Sequence, residues 1–153
     1  MPIRAVKNGN AETCTVAKVF IDTNLLVYTL DRNDHRKQTA CRRLLAEAAE
    51  RHTAVISTQV LQEFYVVATT KLRVEPLTAK QLLHSFSNLE IVTVDLPIIK
   101  EAIDIGILHH LSFWDALIIA AAESAGCDRL WTEDLQHGRV IHSVTIHNPI
   151  LKG

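Results

Sequence analysis

The chain has 153 residues, 48% of them hydrophobic and 22% charged, with a net charge of −1 at pH 7. That length suits one domain with a full hydrophobic core, and the composition excludes a disordered or collagen-like chain. The charge balance excludes a general attraction to polyanions, so any such ligand has to be met by a local arrangement of side chains.

Residues 1–16 are polar and weakly patterned, and they read as an N-terminal arm preceding a domain over residues 17–150. No apolar stretch opens the chain, so no signal peptide is expected. The longest strongly apolar run, Ala116 to Ala122, is too short to span a bilayer. Cys14, Cys41 and Cys127 are odd in number and far apart, without metal-ligand spacing. They read as the reduced thiols of a cytoplasmic protein.

Ala17 to Ile21 is a buried strand that ends at Asp22, and Thr23 to about Leu30 a short helix. Asp34 caps a second helix over His35 to Arg51, where Ala40, Leu44, Leu45 and Ala48 repeat at helical spacing. Thr53 to Ser57 is a second strand. Ser57 or Thr58 caps a helix running to about Arg73. Glu75-Pro76-Leu77-Thr78 reads as a break, with a helix opening at Thr78 and ending near Ser87. Glu90 to Val94 is a third strand. Pro97 suits the first turn of a helix carrying Ile98, Ile99, Ala102, Ile103 and Ile105, which Gly106 weakens or bends near its end. Ser112 caps an apolar, central helix, and Gly126 stands at its C-terminus. Arg129 to Thr132 and Val144 to His147 are the fourth and fifth strands. Strands alternating with helices imply an α/β fold with a mostly parallel sheet of about five strands, covered on both faces.

Four acids sit at the edges of apolar segments: Asp22, Glu63, Asp115 and Asp134. In open α/β sheets, sites lie beyond the carboxyl ends of strands. Asp22 and Asp134 follow two such strands, and Glu63 and Asp115 lie early in helices. If the fold brings them together, their mutual repulsion calls for a cation. Carboxylate oxygens favour Mg2+ or Mn2+, which points to phosphoryl chemistry and to hydrolysis of a nucleic-acid phosphodiester. Each acid alone has a plainer explanation. Asp22 suits a helix cap. Ser112-x-x-Asp115 is a capping box. Glu63 suits a solvated helix face, and Asp134 has Glu133 as a rival beside it. Arg32, Arg36, Lys37, Arg42 and Arg43 form the densest basic cluster, open to phosphate contact or to an ordinary charged helix face. His137 is a turn histidine near the acids. No His/Cys zinc spacing, serine elbow or phosphate-cradling glycine loop occurs.

Phe20-Ile21-Asp22-Thr23-Asn24, the helix with Glu63, Phe113-Trp114-Asp115-Ala116-Leu117-Ile118 and Leu130-Trp131-Thr132-Glu133-Asp134-Leu135-Gln136-His137-Gly138 together resemble the PIN-domain family. Within it they resemble the VapC-type toxins of toxin–antitoxin pairs. The resemblance runs from about Lys18 to Pro149. It implies a three-layer α/β/α fold and a Mg2+- or Mn2+-dependent endoribonuclease. By position, it makes Asp22, Glu63, Asp115 and Asp134 the four family acids, with Asn24 and Thr132 in support. Asp22, Asp115 and Asp134 would be the metal ligands. It also implies an RNA substrate, a small antitoxin that masks the site, and a homodimer. Three rival functions are a stand-alone RNA-processing nuclease, a DNA-directed flap nuclease, and a non-catalytic metal-binding module. A fourth, a phospho-acceptor domain, would use Asp95 but needs a lysine ending the last strand, and none follows Val144-Thr145-Ile146-His147 until Lys152.

Overall fold

The computed structural model describes residues 16–51 and 53–151. The expected arm therefore lies outside the described residues, apart from the exposed Val16. Strand β1 is Val19–Ile21, β2 Ala54–Ser57, β3 Glu90–Val92, β4 Arg129–Trp131, β5 Val140–Ile141 and β6 Val144–His147. Helices α1 (Thr23–Tyr28) and α2 (His35–Glu50) join β1 to β2, and α3 (Thr58–Thr70) and α4 (Pro76–Ser85) join β2 to β3. Helices α5 (Leu96–His109) and α6 (Phe113–Ser124) join β3 to β4. A helical return carries the chain back to its starting end, so each following strand pairs parallel.

The sheet order is β3-β2-β1-β4-β6-β5. Phe20 stands beside Val55 on one side and Leu130 on the other. The chain thus builds outward from β1 to β3, then crosses back to set β4 against the free edge of β1. That reversal opens a crevice beyond the carboxyl ends of β1 and β4. Successive residues of a strand point to opposite faces, yet Val19, Phe20 and Ile21 are all buried, as are all four residues of β2. Both faces of the sheet are therefore covered, which gives the three layers expected from the alternation of strands and helices.

Capping sets most helix starts. The Asp34 side chain accepts from Lys37 N, Ser57 from Val60 N and Ser112 from Asp115 N. The segment read as a break before Thr78 behaves otherwise. Glu75 caps α4 by accepting from Thr78 N, and Pro76 occupies the first turn, where its missing N–H costs nothing. A sixth strand also appears. β5 is two residues long and pairs antiparallel with β6 through a turn in which His142 has φ 52°. Two residues are too few for a period to register in sequence.

The core is contiguous from α6 through the sheet to α3. Residues Ala116 to Ala122 are all buried, as the all-round apolar pattern requires. Phe64 and Phe86 meet edge to face at 5.1 Å. Gly106 does not break α5. A Cβ there would lie 3.4 Å from Leu111 O and 3.6 Å from the Ala116 Cβ, ordinary van der Waals contact, so the packing of α5 against its neighbours does not itself demand glycine. Cys41 and Cys127 are buried and free, and burial pushes their thiols up to about 11 and about 12, away from reactivity. Cys14 lies outside the described residues. Among the described residues no single helix is long and apolar enough to cross a membrane.

Candidate active site

Asp22 is the first residue past β1, and Thr132 is the first past β4. The two strands are neighbours, so both residues face the crevice at the sheet reversal. Thr132 is fully buried, and its hydroxyl donates to Asp22 Oδ2 at 2.8 Å. The backbone N–H of Thr23 donates to Asp22 Oδ1 at 2.7 Å. Asp22 is thus both a cap of α1 and a fixed carboxylate at the floor of a cleft. The cleft encloses about 650 Å³, and Asp22, Asn24, Glu63 and Asp134 are among its lining residues.

The remaining acids arrive from three elements. Glu63 reaches in from the second turn of α3. It accepts from the Thr23 hydroxyl at 2.8 Å and from Gln59 Nε2 at 2.8 Å. Asp134 follows β4, with its backbone N–H donating to Thr132 Oγ1 and its carboxylate accepting from Asn24 Nδ2 at 3.0 Å. Asp115 stands in the first turn of α6, half-buried and next to Asp134, whose pKa its charge raises. It does not line the cleft itself. One crevice therefore gathers Asp22, Glu63, Asp134, Asn24 and Thr132, with Asp115 at its edge.

The electrostatics follow from that gathering. Burial, reinforced by the charges of Asp134 and Glu63, pushes Asp22 up to about 6 against the two hydrogen bonds it accepts. Burial and the charges of Asp115, Glu133 and Glu63 also raise Asp134, while Asn24 opposes the shift. None of the four acids forms a salt bridge among the described residues. The described residues leave this charge without an ion-pair partner.

Glu133, the rival beside Asp134, is used elsewhere. It accepts a hydrogen bond from the Tyr28 hydroxyl and an ion pair from Lys37 at 3.3 Å, and the Lys37 ammonium lies 4.5 Å from the Tyr28 ring centroid. The rest of the basic cluster is also spent locally in part: Arg42 donates to Thr29 O and Arg43 pairs with Glu47. His137 accepts from Asn148 N, as a turn residue does. Asp95 caps α5 by accepting from Ile98 N and takes no part in the cleft.

The donor set fits a hard divalent ion. It consists of carboxylate oxygens together with Asn24 Oδ1, which is buried without a hydrogen-bond partner. Among the described residues no cysteine or histidine lines the cleft. The acids are held apart: among the described residues, only Glu101, Glu123 and His142 bring three ligand atoms within 4.8 Å of one another, and these lie elsewhere. The wider spacing in the cleft leaves room for coordinated water, which Mg2+ keeps.

Sequence patterns do not single out Thr23, Gln59 or Tyr28, give Trp114 only as a neighbour of Asp115, and read Lys71 as a helix-end charge that favours the dipole, although all five line this cleft. Gln59 and Glu63 stand at i, i+4, the one local signal that a helix pairs them. The others become neighbours only through the fold.

A family model described as PIN domain matches residues 19–142. No sequence match is found among curated proteins. Among solved structures, the chain is similar to Mycobacterium tuberculosis VapC20, a sarcin-ricin loop cleaving toxin. There the TM-score is 0.63 at 19% identity, covering 76% of this chain and 92% of that one. It is similar also to a DNA-bound VapBC from Salmonella typhimurium, with TM-score 0.64, 20% identity and coverage of 86% and 98%. A toxin–antitoxin complex from Klebsiella pneumoniae gives TM-score 0.62, 20% identity and coverage of 84% and 96%. At such identities the likeness establishes the fold.

Proposed function

The chain belongs to the PIN domain family, and on that premise we propose that it is a divalent-metal-dependent endoribonuclease acting in the cytoplasm as the toxin of a toxin–antitoxin pair. The observation that carries the reading is the gathering of Asp22, Glu63, Asp134 and Asp115 at the sheet reversal, with no cationic partner on any of them among the described residues. Solved relatives of the same fold described as an RNA-loop cleaving toxin and as toxin–antitoxin complexes support the substrate class and the partner.

Asp22, Asp115 and Asp134 are the residues that would hold Mg2+ or Mn2+. Such an ion would lower the pKa of a bound water and offset charge on the phosphodiester. The protein's part is to aim the carboxylates. Thr132 and the Thr23 N–H fix both oxygens of Asp22. Asn24 turns Asp134 toward the centre. Glu63, held by Thr23 and Gln59, would orient the attacking water and accept its proton as the water oxygen bonds to phosphorus, one backbone P–O bond breaks, and the leaving oxygen takes a proton from solvent. Single-stranded or loop RNA is the substrate, because its bases can be splayed away from a helix. A small antitoxin covers this cleft in the resting complex, and the chain pairs as a homodimer.

The test is cleavage of a mixed tRNA, rRNA and mRNA pool by purified, antitoxin-free protein in Mg2+, Mn2+ and EDTA, with Asp115→Ala alongside. Cutting that needs the metal and is lost in the variant supports the reading. Folded protein that cuts nothing in either metal contradicts it. Co-expression with the neighbouring open reading frame tests the partner: a stable complex is expected, and a neighbour without affinity would leave a stand-alone RNA-processing nuclease.

A further inference from the structure

We propose that the cleft-facing side of α3, with Trp114 beside it, is a seat for single-stranded RNA in which the Trp114 indole takes a base next to the acids and Lys71 takes a backbone phosphate further along. The inference rests on the ribonuclease reading and adds the side chains that hold the substrate.

Glu63, Val66, Val67 and Lys71 all line the cleft. Their spacing of i, i+3, i+4 and i+8 is that of one helical face. At 1.5 Å per residue, Glu63 and Lys71 are about 12 Å apart along the helix axis. The face therefore changes from anionic to apolar to cationic along its length. Tyr28, from α1, lines the same cleft, so the apolar stretch has an aromatic wall. A nucleotide chain has the matching order: a phosphate that meets the metal-holding acids, a flat base, and a further phosphate. Lys71 makes no ion pair among the described residues and remains available to that phosphate.

Trp114 completes the match. It lies immediately before Asp115 in the first turn of α6, lines the cleft, and is 62% exposed. An indole left in water at the rim of an acidic cleft forfeits the burial that normally holds a tryptophan. Its orientation is nonetheless supported. Phe113 packs against it edge to face at 5.2 Å, and its carbonyl accepts from Gln59 Nε2 at 3.4 Å. The same Gln59 nitrogen donates to Glu63, so the Trp114 backbone that carries the ring and the carboxylate are tied to one side chain. A supported, exposed aromatic ring next to a site for phosphate chemistry is the arrangement on which unpaired bases stack. A duplex keeps its base faces stacked inside and cannot use it.

The test is fluorescence anisotropy with labelled single-stranded RNA of mixed sequence, in Mg2+ and an Asp115→Asn background so that the RNA stays intact. Trp114→Ala is expected to weaken binding by about tenfold, within the range that loss of one base stack produces, while Trp114→Phe retains most of the affinity. Lys71→Gln is expected to weaken binding and to lower the salt slope by about 0.7, the value for one phosphate on a single strand. Trp114→Ala leaves that slope unchanged. Circular dichroism verifies that each variant is folded. Unchanged affinity in either variant, a Lys71→Gln slope equal to the parent's, or equal binding of a duplex overturns the proposal. Wild-type protein that cuts RNA while the variants bind normally would remove this seat and leave the nuclease reading standing. RNA binding that depends on both residues without any cutting would do the reverse.

Discussion

Two groups of acids in this molecule solve the problem of crowded charge differently. At the turn between β5 and β6, His142 Nδ1 lies 3.0 Å from Glu123 and 3.8 Å from Glu101. There the protein supplies an N–H, and a positive charge when the imidazole is protonated. In the cleft beyond β1 and β4, Asp22, Glu63 and Asp134 accept from hydroxyl, amide and backbone donors, Asp115 stands at the edge, and none of the four pairs with a cation among the described residues. The first group is tighter in distance, and it contains its own ring-nitrogen partner. The second is looser and raises the pKa of its own members. On the proposed reading, uncompensated charge held in place by neutral donors, rather than closeness alone, marks the catalytic group.

The comparison predicts a wide separation in activity. Asp22→Asn is expected to lower metal-dependent RNA cleavage by at least about 10²–10³-fold, the usual loss when one fixed electrostatic contributor is removed. Glu101→Gln should leave the rate within about twofold, since by this account the outer group takes no part in the chemistry. Single-turnover rates on one RNA measure both, and equal losses would erase the distinction.

Added metal gives the next largest effect. At pH 7, Mg2+ or Mn2+ at a hundred times its dissociation constant should stabilise the fold by about 2.7 kcal/mol. Asp22 titrates near 6, so protons compete for the site and the gain should shrink at pH 5. Thermal melts at the two pH values check this, and a gain that ignores pH would separate metal binding from Asp22.

The same group sets the pH dependence without metal. Asp22 has a folded-state pKa of about 6 against an ordinary 3.8. Between those values the folded chain keeps a proton that the unfolded chain has lost. The contribution is most favourable below about pH 4 and is lost as pH rises through 6. Asp22→Asn in EDTA at pH 7 should therefore raise unfolding stability by roughly 1–3 kcal/mol, read by urea denaturation. A loss of stability would mean that the carboxylate's hydrogen bonds outweigh its desolvation. The smallest effect is expected at the outer group. Glu123→Gln removes a partly exposed pair and should cost no more than about 1 kcal/mol.

Much of the frame was legible because it rests on local patterns. Apolar runs marked the five longer strands, and Asp34, Ser57 and Ser112 marked helix starts through side chains that reach only a few residues ahead. The acids were legible as candidates for the same reason, since each sits at an element edge. What sequence did not resolve depends on contacts across the chain. Glu133 and Asp134 are adjacent and equally acidic. Only Lys37, 96 residues away, and Tyr28 separate them by engaging Glu133. Thr23 and Gln59 acquire meaning only when α1 and α3 pack together around Glu63. Pro76 looked like a breaker because proline is excluded from helix interiors, but it stands at the first helical position, which Glu75 sets by capping.

The most direct test of the central claim is Mn2+ binding, followed by electron paramagnetic resonance on wild type, Asp22→Asn and Glu123→Gln at pH 7. Bound Mn2+ in the wild type, lost in Asp22→Asn and kept in Glu123→Gln, is the result the account predicts. Binding that survives Asp22→Asn and disappears in Glu123→Gln would assign the ion to the outer group and contradict it.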